Sequence, residues 1–115
     1  MITVNNVKSI IFEDGYDKMS IDIGNRNTVT YNSTTITITN DELFNYLFLL
    51  FKIIEDWQTE YIDLTVIDGG IWKLSIDYLD GTKKKYLGRS KYPSNFHALE
   101  NLNKKLIGDK YYESI

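Results

Sequence analysis

The chain has no cysteine, which excludes a disulfide, a thiolate nucleophile and a sulfur-ligated metal site. Its one histidine, His97, falls where a helix should begin, and a positive charge is disfavoured there. No carboxylate orienter or nucleophile motif is readable around it, and the sequence contains no GxSxG, HExxH or phosphate-loop GKS or GKT. No catalytic residue, metal ligand or cofactor is therefore assigned. A surplus of positive charge is also missing. The net charge of −3 and the pI near 5.1 argue against a general affinity for phosphate backbones. The opening MITVNNVKSII lacks the basic segment, long apolar segment and small-residue cleavage site of a secretory signal, so the expected location is the cytoplasm. The most apolar run, LFNYLFLLFKII at 43–54, is too short for a membrane span, which takes about 20 residues.

What is present fits a single domain over 1–115. The 13.4 kDa chain is 43% hydrophobic and 25% charged, ordinary for a soluble globular protein with one core. Charge is unevenly spread: residues 1–57 carry four basic and eight acidic groups, whereas 58–115 carry nine and eight. The positive excess is local to the second half. Abundant Asn, Ile, Lys and Tyr point to an AT-rich bacterial or mobile-element genome.

Apolar and β-branched residues at 4–12, followed by the turn-forming Glu13-Asp14-Gly15-Tyr16-Asp17, predict a first strand. Met19, Ile21 and Ile23 alternate with polar neighbours, Gly24-Asn25-Arg26-Asn27 supplies a hairpin, and 28–31 returns with Val29 and Tyr31 on one face. STTITIT at 33–39 extends the sheet or forms its edge. Thr39 and Glu42 make a candidate capping box, with Asp41 and Glu42 in the first helical turn. The helix they open, 43–54, is interrupted only by Asn45 and Lys52, so it should be buried on most sides. In the second half Ile62, Leu64 and Val66 alternate as a strand, Asp68-Gly69-Gly70 turns, and Trp72, Leu74, Ile76 and Tyr78 share one strand face. Asp80-Gly81 signals a two-residue hairpin, 82–87 returns, and 88–93 forms a loop around the one proline, Pro93. Ser94 then caps a last helix carrying Phe96, Leu99, Leu102 and Leu106, which Gly108 ends.

Lys18-Met19-Ser20-Ile21-Asp22 matches Lys73-Leu74-Ser75-Ile76-Asp77 at a displacement of 55 positions, which also brings Tyr31 onto Tyr86, Asn40 onto Asn95 and Leu47 onto Leu102. Turn, strand, hairpin and cap recur together, as a repeated supersecondary unit requires. The expected fold is α+β: two β-β-β-α units, 4–56 and 60–108, with antiparallel sheet, two packed helices and a short tail at 109–115. The units should pack about a pseudo-twofold axis, across which Asp22 and Asp77 could face each other as a paired-acid or metal site. The string W-x-L-x-I-x-Y-x-D-G-x-x-K-x-Y-x-G is carried by Trp72, Leu74, Ile76, Tyr78, Asp80, Gly81, Lys84, Tyr86 and Gly88. With Pro93, Asn95, Phe96 and Leu99 after it, it resembles the C-terminal portion of small uncharacterised bacterial proteins. The resemblance implies a bacterial origin and this hairpin-plus-helix arrangement, and brings no activity with it.

Two surfaces stand out. Lys83, Lys84, Lys85, Arg89 and Lys91 interleave with Tyr86 and Tyr92. Such a segment can meet an acidic protein partner, can bind single-stranded nucleic acid by phosphate pairing and base stacking, or can guard an edge strand against unwanted pairing. Phe48, Leu49, Leu50 and Ile53 are an apolar surplus over the last helix and mark a candidate interface with a second copy. The expected function is a non-catalytic intracellular protein-interaction module, such as a stoichiometric inhibitor, immunity protein or anti-defence protein of bacterial or phage origin. The competing readings are a nucleic-acid-binding module and an enzyme using carboxylates at the repeat interface.

Overall fold

The computed structural model describes residues 6–24, 27–66 and 69–113. Seven strands form one sheet: β1 (Val7–Asp14), β2 (Asp17–Asp22), β3 (Thr28–Tyr31), β4 (Thr34–Thr37), β5 (Glu60–Ile62), β6 (Ile71–Tyr78) and β7 (Lys83–Arg89). Their order is β4-β3-β2-β1-β6-β7-β5. Helices α1 (Asn40–Ile53) and α2 (Phe96–Glu113) cover one face. The product is a two-layer α+β slab of 44 × 38 × 21 Å with its other sheet face open. The expected turns at Asn25-Arg26 and Asp68, and the start of the first strand at residues 4–5, lie outside the described residues.

The β-β-β-α unit recurs. β1, β2 and β3 lead through the additional edge strand β4 to α1, and β5, β6 and β7 lead to α2. β1 is the centre of the construction. Ile10 and Phe12 point under the helices, so the two-residue period turns Ser9, Ile11 and Glu13 outward. The strand pairs antiparallel with β2 on one side and β6 on the other in one register. Ile10 lies opposite both Ile21 and Ile76, Glu13 opposite both Lys18 and Lys73, and Ser9 opposite both Asp22 and Asp77. The repeated Lys-x-Ser-Ile-Asp string therefore answers to a shared neighbour, with an isoleucine for Ile10 and a lysine for Glu13. Each cross-strand pair of this kind contributes roughly 0.2–1 kcal/mol.

The units join edge to edge through β1 and β6, but not about a twofold axis. β2 and β6 correspond, and because both run antiparallel to β1 they run parallel to each other. β1 occupies the place beside β6 that its counterpart β5 would need. β5 instead lies at the far edge, parallel to β7, with Glu60 opposite Leu87 and Ile62 opposite Arg89. The sheet is therefore mixed rather than wholly antiparallel. β5 is also shorter than the alternation of Ile62, Leu64 and Val66 suggests. The Asp63 carboxylate accepts from the backbone and hydroxyl of Thr65, and this local turn ends the strand with Leu64 and Val66 exposed.

The capping box of α1 is in place: Glu42 N–H donates to Thr39 Oγ1 and Thr39 N–H donates to Glu42 Oε1, both at 3.1 Å. Leu43, Tyr46, Leu47 and Leu50 form its buried stripe, and burial of one leucine such as Leu50 contributes roughly 2 kcal/mol. The helix is not buried on most sides, because a two-layer slab offers it a single buried side. Phe44 and Phe48, each 56% exposed, face outward with Leu49.

α2 begins at Phe96 rather than under a Ser94 cap, and it continues through Gly108 to Glu113. Asn95 ties the helices together: its Oδ1 accepts from Trp57 Nε1 at 2.6 Å and its Nδ2 donates to the Ile53 carbonyl at 2.8 Å. The buried stripe of α2, Phe96, Leu99, Asn103 and Ile107, falls on the buried Leu43, Tyr46, Leu50 and Ile54 at a displacement of 53 rather than 55. Two residues rotate a helix by about 200°. In this alignment the outward Phe44, Phe48 and Leu49 correspond to His97, Asn101 and Leu102. β7 likewise continues through Gly88 and Arg89, which were expected in a loop. Its hairpin with β6 turns over Leu79-Asp80-Gly81, closed by a Tyr78 N–H bond to the Thr82 carbonyl at 2.9 Å, with Gly81 at φ 89°.

Candidate interaction surfaces

On the open face, β7 presents Lys83, Lys85, Leu87 and Arg89, and β6 presents Ile71, Lys73, Ser75 and Asp77. Lys85 stands opposite Ser75, Leu87 opposite Lys73 and Arg89 opposite Ile71. Lys83 Nζ lies 3.8 Å from Asp77 Oδ1, while Ser9 Oγ donates to Asp77 Oδ2 at 3.2 Å. The hairpin thus carries a cationic field around Leu87 and Ile71. β5 pairs with β7 only from Leu87 to Arg89, so the lysine stretch also borders an open edge and discourages pairing there.

On the open face the fold does not interleave cations with rings. Successive strand residues point to opposite faces, and Tyr86, 4% exposed, points under the helices. Its ring meets Trp57 edge-on at 5.9 Å, with Lys84 Nζ 5.8 Å from its centroid on the same side. Burial, and then the neighbouring Tyr61, push the Tyr86 phenol above its usual range. Tyr92 packs in the loop after β7 against Phe96 and Trp72, at centroid distances of 4.9 and 6.5 Å. The Lys91 carbonyl accepts from Trp72 Nε1 at 2.9 Å. Lys91 and Tyr92 thus belong to the aromatic end of the helix layer, while Lys83, Lys85 and Arg89 lie on the other face.

The apolar candidates divide in a similar way. Phe48 and Leu49 are exposed and Ile53 is half-buried, but Leu50 is wholly buried in the core and cannot form an interface. Phe44 takes its place, and its i, i+4 spacing to Phe48 was the available signal. Beside this face runs a groove of about 220 Å³ between α1 and α2, lined by Asn45, Tyr46, Leu49, Leu102, Lys105 and Leu106.

Asp22 and Asp77 do not face each other across an axis. They flank Ser9 in one row of the open face, two strand spacings apart, or roughly 10 Å. His97 has a carboxylate partner that the sequence reading missed: its Nδ1 lies 3.1 Å from Glu100 Oε1, one helical turn away. Asp14, Ser94, Tyr92, His97 and Glu100 line a depression of about 410 Å³. Among the described residues, no group of three or more His, Asp or Glu is placed to hold a metal ion, and no helix is long and apolar enough to cross a membrane.

Comparison with protein-family models, with curated proteins and with solved structures finds no match. Burial, then Glu100, then Asp17 hold the Asp14 carboxyl above its ordinary value, so the folded chain keeps a proton that the unfolded chain releases. Ionised Asp14 therefore weakens the fold, and stability is recovered as pH falls through its folded-state pKa. Asp14→Asn is expected to raise Tm at neutral pH, with the gain fading as pH falls through the folded-state pKa of Asp14 and gone below about 4. Thermal melts across pH check the sign; a lower Tm at neutral pH contradicts it.

Proposed function

We propose that this chain is a non-catalytic protein-interaction module acting in the cytoplasm as a stoichiometric inhibitor, immunity or anti-defence protein of bacterial or phage origin. The observation that supports this best is the separation of cations from rings. Lys73, Lys83, Lys85 and Arg89 surround Leu87 and Ile71 on a flat open face, while Tyr86 is buried behind it. Single-stranded nucleic acid is held by rings beside the cations. An acidic protein surface needs only complementary charge and an apolar centre. In a chain of net charge −3, a local field of this sign steers an acidic partner to one face. The outward apolar face of α1 supports a second contact, self-association into a homodimer.

The combined substitution Lys73→Glu, Lys85→Glu and Arg89→Glu changes only outward side chains. It is expected to keep the fold and to lower recovery of the acidic partner from native-host cells at least about tenfold at about 150 mM salt. Quantitative mass spectrometry of both captures reads the result. Equal recovery of the same partner by both proteins would remove the open face from the account. Nucleic acid in place of a protein would favour the competing module.

A further inference from the structure

Lys84 and Tyr86 are the part of the basic segment that the open face leaves unused. The two-residue period that turns Lys83, Lys85 and Leu87 outward puts both on the helix side of β7, where Lys84 is half-buried opposite the wholly buried Ile76. Its charge needs an outlet there. At the C-terminal end of α1 a recess of about 510 Å³ opens between helix and strand, walled by the rings of Phe48, Phe51, Trp57 and Tyr86 and carrying the charges of Lys52, Lys84 and Glu55. We propose that this recess binds a small aryl carboxylate, its flat ring against the aromatic walls and its carboxylate held by Lys52 and Lys84. The site is separate from the open face and goes beyond the protein-interaction reading.

Cations and rings are already brought together here. Lys52 Nζ lies 5.5 Å from the centre of the Phe48 ring and Lys84 Nζ 5.8 Å from that of Tyr86, while Trp57 meets Tyr86 edge-on at 5.9 Å. Among the described residues neither ammonium lies in an ion pair, so both are open to a carboxylate. Phe48, 56% exposed, leaves one wall accessible to an incoming ring. The size agrees: small-molecule sites span about 300–1,000 Å³ and are mostly apolar, with a few placed polar groups. The balance of charge selects a monoanion. Two lysines against Glu55 leave a single positive excess, and the α1 end that supplies Phe51 and Lys52 is the negative end of its dipole. A phosphate dianion is held less well. A nucleic-acid strand needs, besides, a groove that runs on from one nucleotide to the next, whereas cations and rings meet here at one place.

Amide shifts of the isotope-labelled full chain are followed during titration with naphthoate and, separately, with acetate, neutral naphthalenemethanol and adenosine monophosphate. Naphthoate is expected to saturate with a Kd below about 1 mM, moving amides around Phe51, Trp57, Lys84 and Tyr86. The acid without the ring, the ring without the acid and the nucleotide should each bind at least about tenfold more weakly. Lys52→Gln combined with Lys84→Gln should raise the naphthoate Kd at least about tenfold while leaving the neutral alcohol within about twofold. Phe48→Ala should weaken naphthoate and alcohol alike, because it removes part of the wall and no charge. The amide spectrum itself verifies that the variants are folded. No saturation by naphthoate up to about 10 mM, equal affinity for the neutral alcohol, tighter binding of the nucleotide, or an unchanged naphthoate Kd in the folded double variant would each overturn the site.

Discussion

Gly88→Ala is expected to lower stability by about 4 kcal/mol, a fall of roughly 15–20 °C in Tm. Gly88 lies in β7 opposite Trp72. A Cβ added there would stand 1.8 Å from Trp72 Nε1 and 2.7 Å from the Lys91 carbonyl oxygen. That carbonyl accepts the indole N–H at 2.9 Å, and Trp72 is wholly buried. The indole has no room to retreat: Phe96, Trp57 and Tyr61 pack around it at centroid distances of 5.0, 5.5 and 6.0 Å. One methyl group therefore displaces the indole, breaks its hydrogen bond and opens the ring cluster between the sheet and α2. Thermal and urea unfolding measure the loss. A variant melting within about 3 °C of the wild type would contradict this packing.

Tyr46→Phe is expected to cost about 2 kcal/mol, although it removes a single oxygen. Tyr46 O–H donates to Asn103 Oδ1 at 2.6 Å between the two helices, and both residues are buried. Burial alone pushes the phenol far above its usual range, which keeps it a neutral donor. Asn103 Nδ2 is buried without a hydrogen-bond partner. Removing the hydroxyl leaves the whole amide unpaired in the core, whereas Asn103→Leu on top of Tyr46→Phe removes every unpaired polar atom from the contact. The double variant should accordingly be as stable as the wild type, so a double-mutant cycle gives a coupling energy of about 2 kcal/mol from the Tyr46→Phe loss plus whatever Asn103→Leu alone costs. Additivity to within about 0.5 kcal/mol would show that the bond does not join the helices.

Local signals were legible in the chain because local physics produces them. Thr39 and Glu42 announce the start of α1, and the alternation at Trp72, Leu74 and Ile76 announces β6, since each needs only its own segment. The same alternation separates Tyr86 from Lys85 and Leu87, yet the basic segment reads as one patch when residues are counted along the chain rather than across a strand. β5 was misplaced because its position is decided elsewhere, by β1 taking the edge of β6. The burial of Leu50 and the exposure of Phe44 were not legible for a different reason: an apolar run cannot tell one packing layer from two. Asn103 escaped notice because α2 is shifted by two residues relative to the strand repeat, which puts the amide at the place of the buried Leu50 rather than that of the outward Phe48.

The interaction surface is tested most directly by following backbone amide shifts of the isotope-labelled protein during titration. The two titrants are a short Glu/Asp-rich peptide and, separately, a single-stranded oligonucleotide of equal charge. The account predicts that the peptide moves amides around Lys73, Lys85, Leu87 and Arg89, that the effect fades with added salt, and that the oligonucleotide does less at the same concentration. Shifts centred on α1 or on the loop of Lys91 and Tyr92, or shifts produced by the oligonucleotide alone, would contradict it.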